Sequence, residues 1–552
     1  MPTIRRRDAG EATLEGFHPV LARVLAARGI TDPDELDPAL ARLHRPDLVD
    51  LERALERLAR AYDRNESILI VGDFDADGAT SVALTVRALR GFGYERVAYI
   101  VPNRFQSGYG LTAALVEIAA EQRPDLLLTV DNGIAAHDGV EAARQRGIDT
   151  VITDHHLPGA SLPQAVAVVD PNRGDCAFPS GHLAGVGVAF YLMSALRTHL
   201  ERSGRFDSAA GRPRAVTDLL DLVALGTVAD VVALDRNNRI LVEQGLRRLR
   251  SGRGQPGVRA LLETAKREPN VVTAGDLGYA VAPRLNAAGR LGDMGEGIEA
   301  LLTDAPAEAR RRAQRLDELN QQRRQIETEM RAQAENELER LRGELDSPTN
   351  LPAGITLHDP RWHEGVIGIV AGRVRESVNR PTAAFATTED GYLKGSVRAV
   401  PGLHVRDALA RIAAAQPGLI ERFGGHAQAA GLTIPADRLE AFRSAFAASV
   451  AEGLGTNAAE PEVVSDGALA PGELTLATAE ALRSRRVGGE HLKMAVVPDD
   501  GTQPIEAMWF RAGDRDGPSG GERVRLVYRL EANAFQGRRR VQLVIDHLHP
   551  LD

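Results

Sequence analysis

Short apolar runs alternate with helical patterns in the first third of this 552-residue chain, and this alternation constrains the fold more than any other feature. The runs are four or five residues long and lie at 67–71, 97–101, 126–130, 150–153 and 165–169. Helical spacing of apolar residues separates most of them, and strands that alternate with helices are typical of βαβ units. The sequence therefore predicts an α/β domain whose parallel sheet carries helices on both faces.

Acidic residues and histidines directly follow three of these predicted strands. They are Asp73, Asp75 and Asp77 after the first strand, Asp131 after the third, and Asp154, His155 and His156 after the fourth. In open α/β sheets, ligands bind outside the carboxyl ends of the strands. We therefore expect these side chains to meet at one edge of the sheet.

Such a concentration of carboxylates indicates a bound cation. Asp73, Asp75 and Asp77 lie within five residues, and like charges this close destabilise a fold unless a positive charge lies among them. Taken alone, the acidic turn is explained equally well as a cap on the next helix. With Asp131 and with Asp230, which follows a later apolar segment, we interpret the cluster as a two-metal hydrolytic centre. Oxygen and imidazole ligands suit Mn²⁺ best and Mg²⁺ next, and Fe²⁺ and Zn²⁺ are compatible.

Composition excludes several other classes of protein. The single cysteine, Cys176, rules out a disulfide framework, a four-cysteine zinc site and an iron–sulfur cluster. Neither an apolar signal segment nor an apolar run of about 18 residues is found, so we expect a cytoplasmic protein. The net charge of −9 argues against a surface coated with positive charge, but it leaves room for a local basic groove.

The remaining segments predict a long helix and two further domains. Residues 1–65 have helical patterns, and 305–345 read as one long helix with a thin apolar stripe that suits a spacer between domains. A second α/β block covers about 353–455. The last domain has short alternating runs typical of a small β-barrel.

Residues 523–540 of this last domain carry a local positive charge. They contain six arginines and one glutamate, a net charge of +5. Tyr528 and Phe535 supply faces on which bases could stack, as in barrels that bind single strands. The alternative is an arginine-rich exposed face with no binding role.

Four segments resemble, in order and spacing, the four motifs of the DHH phosphoesterases. These are the Asp-x-Asp loop at 73–77 and the segments 130–133, 154–156 and 226–230. Within that superfamily the chain is most similar to the RecJ family of bacterial single-strand-specific exonucleases. The similarity rests on 108–112, 185–190, 284–290, 362–370 and 424–431 and covers nearly the whole chain.

The resemblance implies a role for each matching metal ligand. On that basis Asp131 bridges two ions. The other implied ligands are Asp77, His155 and Asp230 for one ion and Asp73 and Asp75 for the second. The chain departs from related pyrophosphatases by having Val71 where they place a ligating histidine.

The resemblance also implies residues that bind the substrate. His156 would contact the scissile phosphate and act with Asp131 in catalysis, while Asp154 would orient a ligand imidazole. Ser396, Arg398 and His426 match nucleotide-binding motifs of the DHHA1 domain and would hold a terminal 5′-phosphate; for the glycines before His426, a plain turn is the alternative. The implied contacts with the substrate backbone or a base are Arg104, Tyr109, Arg284 and Arg290, and buried packing is the alternative for Tyr109.

These expectations combine into one architecture and one function. The predicted domains are a helical segment with a DHH catalytic domain (1–304), a linker helix (305–346), a DHHA1 domain (347–455) and an OB-fold (461–552). The implied activity is 5′-to-3′ hydrolysis of single-stranded DNA to 5′-mononucleotides in recombination and repair. The implied partners are single-stranded DNA with a 5′ end, a single-strand binding protein and a RecQ-type helicase, and the chain is expected to be a monomer that does not bind membranes.

Two other functions remain open at this point. One is a phosphodiesterase acting on short oligoribonucleotides or cyclic dinucleotides, although such enzymes usually lack a C-terminal barrel. The other is a non-catalytic replication scaffold of the same fold, which the presence of the expected ligands disfavours.

Overall fold

The computed structural model of the chain describes most of its length and divides it into two compact units. The described residues are 3–8, 14–102, 110–206, 213, 215–344, 351–388, 390–454, 462–481, 491–496, 505–510, 524–535 and 538–550. One unit is Pro38–Thr456, and the other joins Met1–Asp37 to Asn457–Asp552.

The described strands are short apart from the last two. In chain order they are β1 Thr3–Arg6, β2 Ile68–Val71, β3 Val97–Ile100, β4 Leu126–Val130, β5 Asp149–Thr153, β6 Ala167–Val169, β7 Ile355–His358, β8 Thr382–Thr387, β9 Tyr392–Arg398, β10 Arg422–Gly425, β11 Ala429–Pro435, β12 Glu462–Ser465, β13 His491–Val496, β14 Ile505–Phe510, β15 Val524–Phe535 and β16 Arg538–Pro550.

The described α-helices lie mainly between these strands. In chain order they are α1 Pro19–Ala26, α2 Leu51–Asp63, α3 Ala76–Phe92, α4 Ala113–Glu121, α5 His137–Gln145, α6 Gly185–Arg202, α7 Leu220–Ala229, α8 Arg236–Arg250, α9 Pro256–Thr264, α10 Ala274–Asp276, α11 Ala282–Leu291, α12 Gly295–Leu302, α13 Pro306–Glu344, α14 Ile367–Val378, α15 Val405–Ala415, α16 Leu439–Leu454 and α17 Leu476–Ala481. A π-helical segment, Leu277–Val281, joins α10 to α11.

The larger unit contains the predicted parallel sheet. Its order is β3-β2-β4-β5-β6, and every pairing is parallel. Ile70 and Leu128 pack into one hydrophobic core, whereas their neighbours Leu69 and Leu127 pack into a second core on the opposite face. Because both faces are covered, the strands are continuously apolar, and the prediction of helices on both faces is confirmed.

A second, mixed sheet lies after the long helix. Its order is β10-β11-β9-β8-β7, with a parallel β7–β8 pair and antiparallel pairs elsewhere. The long helix α13 contributes Leu316 to the core of the first α/β domain and Ala334 to the core beneath β7 and β8. It therefore packs against both domains as well as connecting them.

The smaller unit holds a four-stranded sheet of order β13-β14-β16-β15 around Leu530, Leu543 and Ile545. The helical prediction for 1–65 holds for α1 and α2 and is wrong at Thr3–Arg6, which is a strand that pairs in parallel with Glu462–Ser465. A partner more than 450 residues away leaves no local periodicity to detect. The first 37 residues thus group with the C-terminal part, which differs from the predicted domain of 1–304; the boundaries at 304, 346 and 455 stay predictions.

Among the residues that the structure describes, no helix combines the length and the apolar character that crossing a membrane requires.

Candidate metal centre

The acidic loop at 72–78 folds back over the start of α3. Asp75 caps this helix, its Oδ1 accepting a hydrogen bond from the Gly78 backbone N–H at 2.9 Å. A Cβ on Gly78 would lie 2.6 Å from the backbone oxygen of Asp73, so only glycine allows the loop to close this tightly. The loop thereby brings its carboxylates to the carboxyl end of β2.

A distant helix holds the outer side of the same loop. Asn286 of α11 accepts a hydrogen bond from the backbone N–H of Ala76 at 2.8 Å. Gly289, one turn further along α11, lies against the backbone of Phe74, where an added Cβ would come within 1.8 Å of the carbonyl oxygen. These two positions fix the loop from outside the sheet.

Asp131 lies at the end of β4 in a constrained backbone conformation. Its φ of +64° is left-handed, a region that Asp and Asn enter more readily than most residues. The neighbouring Asn132 is fully buried and donates to the carbonyl oxygens of Val71 at 3.0 Å and Val130 at 2.9 Å. It ties the ends of β2 and β4 together and so sets the position of Asp131 relative to the acidic loop.

The start of α6 packs directly against two of the acids. Asp77 accepts hydrogen bonds from the backbone N–H groups of Gly185 at 2.6 Å and Val186 at 3.0 Å. An added Cβ on Gly185 would lie 2.5 Å from both Cβ and Oδ1 of Asp131. Gly185 is therefore required for α6 to approach both carboxylates.

His155 points a buried ring nitrogen at two carboxylates. Its Nε2 lies 3.1 Å from Oδ1 of Asp131 and 3.6 Å from Oδ2 of Asp230. Burial, and then the positive charge of His156, lower the pKa of His155 to about 4, so the ring is neutral near pH 7. Among the described residues this Nε2 has no hydrogen-bond partner. A neutral buried imidazole nitrogen facing carboxylate oxygens fits a metal ligand.

The ligand atoms form two groups that suit divalent cations. In each group the atoms lie within 4.8 Å of one another. One group is Asp77, His155 and Asp230, and the other is Asp73, Asp75 and Asp131; a third set, Asp131, His155 and His156, overlaps both. Asp131 also approaches His155, so it lies where a ligand common to both groups would be.

The pKa values of these acids reflect crowding of negative charge. Burial, followed by the charges of neighbouring aspartates, raises the pKa of Asp77 to about 7 and of Asp230 to about 8. The same causes raise the pKa of Asp131 well above its ordinary value. Divalent cations would remove this repulsion, because each supplies positive charge among the carboxylates.

Asp154 holds His156. Its Oδ1 lies 2.7 Å from Nδ1 of His156, and its Oδ2 accepts from the backbone N–H of Ile134 at 2.8 Å. Burial alone would lower the pKa of His156, but the hydrogen bond and the charge of Asp154 outweigh it and raise the pKa to about 9. The imidazole that Asp154 orients is that of His156, which lies with Asp131 and His155 in a third set of potential ligands, and the prediction that Asp154 orients a ligand imidazole stays a prediction.

The predicted phosphate-binding residues lie in the same compact unit. The ring of His426 stacks on that of His156, with centroids 6.0 Å apart and an angle of 13°. Nη1 of Arg398 donates to Oγ of Ser396 at 2.8 Å. Both side chains lie at the first turn of α14, where a Cβ on Gly368 would be 2.7 Å from Arg398 and 3.0 Å from Ser396. Helix N-terminus, hydroxyl and guanidinium together suit a phosphate.

The other predicted substrate contacts have different outcomes. Arg284 is mostly buried and pairs with Asp317 of α13 at 2.7 Å, and its substrate contact stays a prediction. Arg290 donates to the carbonyl oxygen of Gly365 at 3.2 Å, and its substrate contact stays a prediction. Arg104 and Tyr109 lie outside the described residues.

Sequence reasoning assigned no role to Asn132, Gly185, Asn286 and Gly289, which build the site around the acids. Three of them lie in segments that carry the resemblance to the RecJ exonucleases. Gly185 opens 185–190, and Asn286 and Gly289 fall within 284–290. The motifs therefore contain these residues, but a glycine or an amide side chain in a motif does not by itself indicate a role in building a metal site.

The raised pKa values predict how stability depends on pH. In protein treated with EDTA, the free energy of unfolding depends on pH because these carboxyl groups have higher pKa values in the folded state than in the unfolded state. Their contribution to stability is fully present below about pH 4 and is lost as the pH rises through about 7 to 8. We expect the melting temperature of EDTA-treated protein to fall between pH 6 and 8.5, and Mn²⁺ to raise it most at pH 8.5. A shift with Mn²⁺ that is equal at both pH values would contradict the electrostatic account.

Comparisons with known families cover the chain in three parts. Residues 67–227 match the N-terminal domain of the DHH family, 352–452 match the DHHA1 domain, and 466–547 match the RecJ OB domain.

Curated relatives match over the full length. Single-stranded-DNA-specific exonuclease RecJ of Dickeya dadantii is 48% identical over 573 aligned positions, covering 99% of each chain. RecJ of Escherichia coli is 46% identical over 574 positions with the same coverage. RecJ of Bacillus subtilis is 30% identical over 576 positions, covering 98% of this chain and 69% of that protein.

Solved structures agree with these relatives. The fold is similar to that of RecJ from Thermus thermophilus in complex with Mn²⁺, with a TM-score of 0.77 and 30% identity over 97% of this chain and 76% of that one. The Mg²⁺ complex of the same protein gives a TM-score of 0.71 and 29% identity, covering 97% and 75%.

Proposed function

Because the chain belongs to the RecJ family of single-stranded-DNA-specific exonucleases, we propose that it hydrolyses single-stranded DNA from the 5′ end and releases 5′-mononucleotides. One observation of the site carries this proposal: five carboxylates and the neutral His155 form two cation-binding groups at the carboxyl edge of a parallel sheet. The metal-bound relatives make Mn²⁺ or Mg²⁺ the cation proposed for both groups.

The arrangement suits cleavage of a phosphodiester. Divalent cations held by the two groups would lower the pKa of a bound water and stabilise charge on the attacking and leaving oxygens. His156, charged and held by Asp154, would donate a hydrogen bond to a phosphoryl oxygen and stabilise the charge that develops there. The bond between phosphorus and the 3′-oxygen breaks, which leaves a 3′-hydroxyl on the released nucleotide and a 5′-phosphate on the shortened strand.

The pocket at α14 supports the proposed polarity. His426 stacks on His156, and Arg398 donates to Ser396; we propose that these three side chains bind the terminal phosphate next to the metal centre. A 5′-phosphate bound in this pocket would place the next phosphate of the strand towards His156. Each cleavage regenerates a 5′-phosphate, so the product of one cycle is the preferred substrate of the next.

Replacing Arg398 with Ala tests this assignment. We expect the preference for a 5′-phosphate over a 5′-hydroxyl to fall about tenfold, since a charge-assisted hydrogen bond is lost. The measurement is the ratio of kcat/KM values for oligonucleotides that differ only at the 5′ end. Arg373→Ala is the matched control, because Arg373 is a half-exposed arginine of α14 that pairs with Glu327 and Glu376. An unchanged ratio in Arg398→Ala would assign the 5′-phosphate to other residues.

We propose that the RecJ OB domain at 466–547 binds further nucleotides of the strand. Ion pairs offset part of the positive charge of this domain, because Arg529 pairs with Asp546 at 3.2 Å and with Glu531 at 3.3 Å. Arg525 is exposed on the same strand. For Phe535 and the arginines at 538–540, the structure describes the backbone of the strands and not the side chains.

Other inferences from the family resemblance extend this proposal. We propose a cytoplasmic monomer that meets a single-strand binding protein and a RecQ-type helicase at DNA ends during recombination and repair. Cross-linking of the purified chain with each protein on gapped DNA tests the contacts, and sedimentation tests the monomer.

The two other functions are disfavoured by particular observations. A phosphodiesterase for short oligoribonucleotides would leave the matched RecJ OB domain without a role. A non-catalytic scaffold would leave the two cation-binding groups without one. Comparing turnover on long single-stranded DNA with turnover on dinucleotides separates the first alternative, and metal analysis of purified protein separates the second.

A further inference from the structure

Three large apolar side chains stand exposed beside the metal centre. Leu157 is 68% exposed, Tyr279 is 73% exposed and Val231 is 85% exposed, the highest value among large apolar side chains that the structure describes. We call these three residues the apolar rim. Single exposed apolar residues are ordinary, but here two directly follow residues of the centre and the third adjoins a residue whose backbone packs on α7.

The chain places two members of the apolar rim next to residues of the centre. Leu157 directly follows His156, and Val231 directly follows Asp230. Tyr279 belongs to a different element. Its neighbour Gly278 lies against the last turn of α7, where an added Cβ would be 3.0 Å from Val228.

Val231 occupies a backbone conformation that disfavours it. Its φ is +63°, and it is the second residue after α7, where helices commonly end with glycine. A β-branched residue with positive φ is a genuine outlier, and such strain clusters at functional sites. Because the side chain is almost fully exposed, it does not compensate for the strain by packing.

Tyr279 lies in a second unusual element. The segment Leu277–Val281 is π-helical, a rare form that appears frequently at functional sites. The extra residue in this turn directs Tyr279 to the surface while Leu277 and Val281 remain buried. The strain at Val231 is therefore not explained by packing of its side chain.

We propose that the apolar rim contacts the bases of the DNA strand next to the scissile phosphate. The proposal rests on the proposed function. The phosphate being cleaved belongs at the cation-binding groups, whereas the bases beside it are neutral and carry apolar faces that suit exposed apolar side chains. Every base has such a face, so the contact positions the strand without reading its sequence.

Two variants each remove one member of the rim without touching an acid or a histidine. Val231→Gly relieves the positive φ, so its melting temperature should equal or exceed that of the parent. Tyr279→Ala removes the ring, and Tyr279→Phe keeps it. Asn65→Gly is the matched control, since Asn65 has a φ of +49° two residues after α2 and lies at the opposite edge of the sheet.

The test combines these variants with DNA that lacks single bases. The substrates are 5′-phosphorylated oligothymidylates with one abasic nucleotide at the second, third or fourth position, and the readout is single-turnover cleavage at subsaturating enzyme. The parent enzyme should cleave one of these substrates about tenfold more slowly than intact DNA. Val231→Gly and Tyr279→Ala should cleave intact DNA about tenfold more slowly and be nearly insensitive to that abasic position, whereas Tyr279→Phe and Asn65→Gly should behave like the parent.

The proposal is overturned if the enzyme variant and the abasic position lower the cleavage rate additively. It is also overturned if both rim variants cleave intact DNA as fast as the parent. Failure of the proposed function has a different signature, because the parent enzyme would then leave intact single-stranded DNA uncut.

Discussion

Asp131→Asn is expected to lower kcat/KM on single-stranded DNA by at least about 10³-fold while the fold stays intact. Asp131 belongs to one cation-binding group and lies 3.1 Å from His155 of the other, so we expect its loss to weaken both. Asparagine keeps the shape of the side chain and tolerates the φ of +64° at this position. The variant therefore removes a charge from the centre without a steric change.

The same substitution should stabilise the protein once divalent cations are removed. Burial and the surrounding aspartates raise the pKa of Asp131 well above its ordinary value, which means that its charge opposes folding. We expect EDTA-treated Asp131→Asn to melt at a higher temperature than the EDTA-treated parent at pH 8, and to gain less from Mn²⁺. Asp138→Asn, at an exposed acid in α5, is the control that should change none of these quantities. Near-parental activity of Asp131→Asn would remove Asp131 from the centre.

Gly185→Ala is expected to reduce kcat/KM on the order of 100-fold, although it changes no polar atom. The added methyl group would lie 2.5 Å from Asp131, and relieving this clash must move the carboxylate or the start of α6. The same turn of α6 donates both backbone hydrogen bonds to Asp77, so a shift disturbs both acids. A misplacement of about 1 Å can cost 10²-fold in rate, and overpacking costs about 1–3 kcal/mol in stability.

Gly91→Ala separates this effect from the general cost of replacing a helical glycine. Gly91 lies within α3, and an added Cβ there would have no atom within 4 Å. Alanine at this position should therefore be neutral or stabilise the helix by about 1 kcal/mol. Activity and Mn²⁺ affinity of Gly185→Ala close to those of Gly91→Ala would contradict the close packing of α6 on the centre.

The acids were predictable because their positions follow from topology. Asp131 and His155 each follow an apolar strand, and the carboxyl ends of parallel strands share an edge. The sequence pattern alone therefore places them together, without knowledge of the distances. Asp77 was predictable for the same reason, since it lies in the loop that follows the first strand.

The surroundings of the acids were not predictable, because they depend on contacts between distant segments. Asn286 binds a loop about 210 residues earlier in the chain, and Gly185 contacts acids more than 50 and 100 residues earlier. The direction of the Asp154 side chain, towards His156, depends on a rotamer that a motif does not encode. The pairing of Arg284 with Asp317 likewise requires the packing of α11 against α13.

Digestion of a single strand carrying a radioactive 5′-phosphate, with Mn²⁺ and a duplex of the same sequence as comparison, tests the central claim most directly. If two cations at the Asp131 edge cleave single strands from the 5′ end, the label appears from the first turnover as a 5′-mononucleotide and the duplex remains intact. Label retained in a ladder of shortening oligonucleotides, or equal digestion of the duplex, would contradict it.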